Sequence, residues 1–150
     1  MDLFKMFSIS GAGMAAQRSR MGVVAGNLAN TETTRSPEGG PYRRRDVIFQ
    51  ARPIEGDFFN LLNGSLEEPA ESLLTVEVAG IRQSSRAPRK IFDPEHPDAS
   101  AEGYVSLPDI NIMEEMVDML SAVRSYEANL TVYNTTKSLI RRLLEIGRAA

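Results

Sequence analysis

Residues able to do chemistry are few in this sequence and fall in three places. Asp93, Glu95, His96 and Asp98 crowd into the hexapeptide DPEHPD, with the carboxylates and imidazole that could ligate a divalent metal or activate a water. Pro94 and Pro97 hold that stretch as a rigid extended turn, and one His among scattered carboxylates makes a poor fixed-geometry site, so it reads as a structural loop. Glu114, Glu115 and Asp118 could pair as acid and base, but they open a long helical pattern, where acidic side chains complement the helix dipole. A solvated helix start is the expectation there. Arg43, Arg44 and Arg45 form the only basic run, beside Tyr42, and are expected to face an acidic partner or a neighbouring subunit. Nucleic acid would demand a wider basic surface. No nucleophile elbow, phosphate-binding loop or dinucleotide fingerprint occurs.

Composition narrows the field further. With Cys 0 and His 1, disulfides, thiolate catalysis, zinc–thiolate sites and multi-histidine metal sites are excluded. No enzyme activity, cofactor, metal or small-molecule substrate is therefore expected. The 150 residues suffice for one domain, with 42% hydrophobic and 25% charged residues, near the globular average. A net charge of -3 argues against nucleic acid as a partner. No apolar run approaches the ~20 residues that span a bilayer. Met1 to Gly13 lacks the pattern of a secretory signal, so export with a cleaved signal peptide is not expected.

The elements that would position these residues differ between the ends and the middle. Near the N-terminus Leu3, Phe7, Ser10, Met14, Gln17, Met21, Val24 and Leu28 alternate steps of four and three, an amphipathic helix with a coiled-coil-type seam. A row of small residues runs beside it, and Gly11, Gly13, Gly22 and Gly26 each cost about 0.8–1 kcal/mol against Ala. This helix is not expected to stand alone. Towards the C-terminus the same alternation runs through Ile112, Met116, Met119, Val123, Tyr126, Leu130, Tyr133, Lys137, Ile140, Leu144 and Gly147, after a start at Pro108 and Asp109. A helix of about 55–60 Å is implied at 1.5 Å per residue, and it needs a partner along its length. Between them, seven of the eight prolines accompany short β-like runs at 46–51, 73–83, 89–92 and 103–107. The fold expected is mainly α with a small β-rich insertion: residues 1–30 and 108–150 form one discontinuous domain, a coiled-coil-like helical stalk, around a central β domain at 31–107.

The end of the first helix carries the sequence Asn27-Leu28-Ala29-Asn30-Thr31. Cap and turn formation by polar residues accounts for its composition. Leu28 and Ala29, nested between two Asn, suggest instead a joint dry enough for the Asn27 and Asn30 amides to bond another chain. The second reading is favoured on sequence.

These residues resemble a family. Phe4 to Thr34, with Ala16-Gln17-Arg18-x-Arg20-Met21 and the Asn27 to Thr31 motif, is similar to the N-terminal signature of flagellar rod, hook and filament axial proteins. Glu115-Met116-Val117, Arg124-x-Tyr126-x-Ala128-Asn129, Tyr133-Asn134-Thr135, Lys137 and Leu144-x-x-Gly147 resemble their C-terminal signature. Pro41-Tyr42-Arg43, Val47-x-Phe49, the DPEHPDA stretch and Gly103-Tyr104-Val105 look like the C-type proximal-rod branch, with 54–71 as a variable loop. The resemblance implies a structural subunit of the bacterial flagellar basal-body rod that self-associates helically, transmits torque and lines an export channel. It further implies export through the flagellar type III apparatus, a periplasmic position, and other rod proteins, the rod–membrane-ring adaptor, peptidoglycan and the bushing rings as neighbours. Expected subunit-interface residues are Leu3, Phe7, Met14, Met21, Val24, Asn27, Leu28, Asn30 and Thr31 on the first helix and its end. On the last they are Met116, Met119, Val123, Tyr126, Asn129, Leu130, Tyr133, Ile140 and Leu144.

Another class of function, a monomeric helical adaptor or export chaperone gripping partner helices, would use the same stripes without self-association. It leaves the central region without a purpose. A hydrolase built on DPEHPD is the weakest reading.

Overall fold

The computed structural model describes residues 3–54 and 73–149, with side chains from 5 to 147. Most of the expected variable loop at 54–71 lies outside the described residues, as do the side chains of Leu3 and Phe4. Six elements follow in order: α1 (Leu3–Ala29), β1 (Arg45–Pro53), β2 (Leu74–Gln83), β3 (Arg89–Phe92), β4 (Tyr104–Leu107) and α2 (Ile112–Ala149). All the β runs read from the sequence form strands, as two separate antiparallel pairs. β1 pairs with β2 from Arg45 opposite Gln83 to Pro53 opposite Leu74, slipping register between Ile48 and Phe49. β3 pairs with β4 from Arg89 opposite Leu107 to Phe92 opposite Tyr104.

α1 has neither an acidic residue in its first turn nor a basic one in its last, so its dipole is uncompensated. Its 27 residues lie against the 38-residue α2, and the β1–β2 ribbon packs on α1. α2 begins four residues past Pro108. The Asn111 side chain accepts a hydrogen bond from the Met113 backbone N–H at 3.0 Å, an N-cap that satisfies one of the helix's unpaired donors. Pro108 and Ile110, upstream of the cap, are buried.

The helices run antiparallel. Phe7 meets Tyr133 edge-to-face with ring centroids 4.7 Å apart, Arg18 donates to the Tyr126 hydroxyl at 3.3 Å, and Arg20 pairs with Asp118 at 3.1 Å. Where Gly13 passes Asn129, a Cβ on Gly13 would lie 2.9 Å from the amide oxygen of Asn129. The small residue there sets the interhelical distance.

The seam on α2 differs from the expected one. Met119, Tyr126, Tyr133 and Ile140 are partly buried as predicted, but the positions that alternate with them are Glu115, Ala122 and Thr136, all buried, and Asn129, half-buried. Met116, Leu130 and Lys137, predicted for that row, point away, and Val123 is only half-buried. The rotation by one residue has two physical causes. Close approach at Gly13 admits the compact Asn129 side chain opposite, and Glu115 is drawn inward by Asn27 and Arg44. The DPEHPD stretch is the predicted structural turn: Asp98 accepts from the Thr34 hydroxyl at 2.6 Å and pairs with Arg35 at 2.6 Å, tying the β3–β4 hairpin to the chain leaving α1.

Candidate assembly interface and the joint beside it

Asn27 ends the contact between the helices, and it is 0% exposed. Its amide N–H groups donate to the Arg45 carbonyl at 2.8 Å and to Glu115 Oε2 at 2.9 Å. Its amide oxygen accepts from the Tyr42 hydroxyl at 3.1 Å and the Arg45 backbone N–H at 2.9 Å. An amide offers two donors and two lone pairs, so every bond it can make is made within this chain. The expectation that Asn27 bonds a neighbouring subunit is thereby corrected: Tyr42, Arg45 at the start of β1 and Glu115 on α2 supply the partners that sequence reasoning sought in another molecule. Asn30 is local as well, donating to the Gly26 carbonyl at 2.8 Å and accepting from Thr33 at 3.1 Å. Thr31 donates to the Leu28 carbonyl at 2.7 Å. The last helical carbonyls of α1 are thus satisfied as a polar terminus requires.

Glu115 is likewise 0% exposed, which corrects the expectation of a solvated carboxylate at the helix start. Its second oxygen accepts from Arg44 Nε, and Arg44 also bonds Asp46 and lies 3.8 Å from Asp118. Burial acts to lower the Arg44 pKa, but the bond to Glu115 and the charges of Glu115, Asp46 and Asp118 outweigh it and leave it raised. Arg44 is therefore bound within the chain rather than displayed to a partner, whereas the Arg45 side chain is exposed. Arg45 lies over the Tyr42 ring at 5.5 Å and 3.8 Å from Glu38, while Arg43 is exposed. The Tyr42 phenol is pushed up, chiefly by burial, against the lowering charge of Arg45 and with help from Glu115. α1, β1 and α2 meet in this one network. Sequence reasoning had each member in hand but no signal that Glu115 turns inward, because an acidic residue in a first helical turn is ordinarily solvated.

The remaining predicted residues divide by face. Val24 is buried, and Phe7, Met14, Met21, Met119, Val123, Tyr126, Asn129, Tyr133 and Ile140 are partly buried. Leu28 and Thr31 line an open groove with Ile112 at the joint. Met116 and Leu130 are exposed on α2 away from α1, together with Met113, Val117 and Leu120, and Leu139, Leu143, Leu144 and Ile146 are exposed in its last turns, where Leu144, four residues after Ile140, continues the row that faces α1. Among the described residues no three metal-ligating side chains converge, and no helix is long and apolar enough to cross a membrane. The joint at Asn27, Arg44 and Glu115 holds α1, β1 and α2 together, and a set of large apolar side chains on α2 stays exposed.

Residues 101–146, which include that outward face, match the family described as flagellar basal body rod FlgEFG protein C-terminal. Over almost the whole chain, the flagellar basal-body rod protein FlgC of Borreliella burgdorferi is 42% identical, covering 97% of this chain and 98% of its own length. The chain belongs to the FlgC family of flagellar basal-body rod proteins. FlgC of Bacillus subtilis is 40% identical over 99% of this chain and 100% of its own, and FlgC of Aquifex aeolicus 43% over 97% of each. FlgC-family proteins are structural parts of the rod and not enzymes. Membership places the chain in the flagellar basal body, in association with other rod components.

Proposed function

We propose that this chain builds its layer of the rod through its terminal helices, paired as a coiled-coil-like stalk, so that the stalk transmits torque and walls the export channel. Residues 1–30 and 108–150 act as one discontinuous assembly domain, and 31–107 lies outside it. The chain travels through the flagellar type III export apparatus without a cleaved signal peptide to a periplasmic position. There it meets other rod proteins and the rod–membrane-ring adaptor. One observation supports this reading above the rest: the helix that packs on α1 also turns a row of large apolar side chains outward. Contiguous apolar surface of this kind marks a protein–protein contact, and its burial contributes about 25 cal/mol per Å².

Of the residues expected at the interface, Met116, Leu130 and Leu144 carry contacts between subunits, whereas Phe7, Val24, Met119, Tyr126 and Tyr133 build the stalk that presents them. Asn129 belongs with the stalk, beside Gly13. Met116→Asp and Leu130→Asp test the division, since both side chains are exposed and the isolated fold should tolerate the charge. Cells carrying either variant are expected to make stable subunit and remain non-motile, with basal bodies lacking a completed rod under electron microscopy. Normal rods in both strains would remove the proposal.

A further inference from the structure

We propose that Met113 and Met116 form an oxidation site, where peroxide converts the thioethers to sulfoxides and so withholds the free chain from assembly; the consequence, though not the chemistry, rests on the rod reading just given. The sequence holds Met 7, Cys 0 and Trp 0, so thioether sulfur is the group most open to a two-electron oxidant. The structure sorts these methionines by access. Met6, Met14 and Met21 on α1 and Met119 on α2 are partly buried. Met113 and Met116 are exposed, at 69% and 50%. A thioether has no proton to lose, so access of the oxidant to sulfur, and not ionisation, sets which of them reacts first.

The two exposed sulfurs share one face. Met113, Met116, Val117 and Leu120 follow at i, i+3, i+4 and i+7, and all four side chains are exposed. That face stands on the best-anchored part of α2. The Asn111 side chain caps the helix through the Met113 backbone N–H at 3.0 Å. Glu115, between the two methionines in sequence, is 0% exposed and bonded to Asn27 and Arg44. Met113 lies about 200° around the helix from Glu115 and Met116 about 100°. With Glu115 held inward, the helix cannot roll to cover either sulfur. Two of the four apolar side chains on this face are methionine, so its apolar character depends on the state of two sulfurs.

The step is an oxygen transfer. A sulfur lone pair attacks one oxygen of hydrogen peroxide, and the S–O bond forms as the O–O bond breaks. Sulfur gives up two electrons, the peroxide is reduced, and the proton of the transferred oxygen leaves with the other oxygen as water. The product replaces an apolar thioether with a strongly polar sulfoxide. In the free chain water solvates that group and the fold is untouched. Against an apolar partner surface it is stripped of water with no donor to meet it, the cost that attends any unpaired polar group on burial. Once the contact has formed, the same burial shields the sulfurs. Oxidation therefore acts on the unassembled chain and passes over the assembled one.

Limited hydrogen peroxide on the purified full chain, followed by peptide mass spectrometry, tests the site. Met113 and Met116 should each gain one oxygen at least several-fold faster than Met6, Met14, Met21 and Met119, with the circular dichroism of the chain unchanged. Met113→Leu with Met116→Leu should remove the two fast uptakes and keep the slow ones. Equal rates at all these positions overturn the site, as does faster uptake at Met14 or Met119 than at Met116. The consequence is tested in cells with Met113→Gln and Met116→Gln together, whose amides imitate the polar, uncharged sulfoxide. Those cells should hold stable subunit and lack completed rods under electron microscopy, and rods completed at the normal frequency would overturn the withholding. The two readings fail separately. Uniform oxidation beside non-motile M116D and L130D cells would reject this site alone. Normal rods in M116D and L130D cells would reject the rod reading, and with it the withholding, whatever the oxidation rates.

Discussion

Asn27 shows how one side chain can tie three segments distant in sequence. Replacing it by Ala strands the Tyr42 hydroxyl, the Arg45 N–H and one Glu115 oxygen, each costing about 1–3 kcal/mol when buried. Asn27→Ala is therefore expected to lose about 3–5 kcal/mol in urea unfolding of the dilute chain, while Asn30→Ala, a local terminus bond, loses about 1 kcal/mol. Equal losses for the two would show that the buried network contributes nothing special. Tyr42 makes the same network sensitive to alkali. Its phenol is raised in the fold, chiefly by burial, so the neutral form contributes stability below the ordinary tyrosine pKa of about 10, and that contribution is lost as pH rises through the raised value. The melting temperature should fall above about pH 10, and Tyr42→Phe should flatten that part of the profile. A profile unchanged by the substitution would contradict the assignment. Arg44, raised by its carboxylate neighbours, keeps its charge throughout.

At the scale of elements, glycines in α1 separate into those that pack and those that do not. Gly22 would place a Cβ in open space, whereas Gly13 would press one against the Asn129 amide, itself held by the Ser125 carbonyl at 2.8 Å. Gly22→Ala should then stabilise the isolated chain by about 0.8–1 kcal/mol, the helix-propensity difference. Gly13→Ala should forfeit that gain or reverse it, because the interhelical spacing must open. Chemical denaturation of the two variants decides the point, and equal stabilisation would mean the close approach does not matter. The β3–β4 hairpin has its own required glycine: Gly103 has φ +81, and a Cβ there would lie 2.8 Å from the Phe92 ring.

For the whole molecule, large side chains are mostly spent on the outside. The largest fully buried ones are Glu115, Asn27, Thr136 and Pro108, while Met113, Val117, Leu143 and Ile146 are exposed. Such a chain is anchored at the joint and weakly held away from it. Amide hydrogen exchange on dilute monomer should find the backbone around Asn27 and Glu115 the slowest of the two helices, and the first turns of α1 and the turns of α2 beyond Ile140 fast. Uniform protection along α1 would contradict this picture, since its four glycines and uncompensated dipole leave it dependent on α2.

Periodicity alone determined the two long helices and the strands between them, because a 3.6-residue or two-residue repeat of apolar side chains is a local property of the chain. The proline-bound turn at DPEHPD was legible for the same reason, and the flagellar signatures at both ends carried the family. Which face of α2 meets α1 was decided only in three dimensions. Apolar spacing could not distinguish the row through Met116 and Leu130 from the row through Glu115 and Asn129, since both repeat by fours and threes. The choice depends on the close approach at Gly13 and on the bonds from Asn27 and Arg44 to Glu115. Those partners lie 88 and 71 residues from Glu115 in the chain, and no local pattern records so distant an acquaintance.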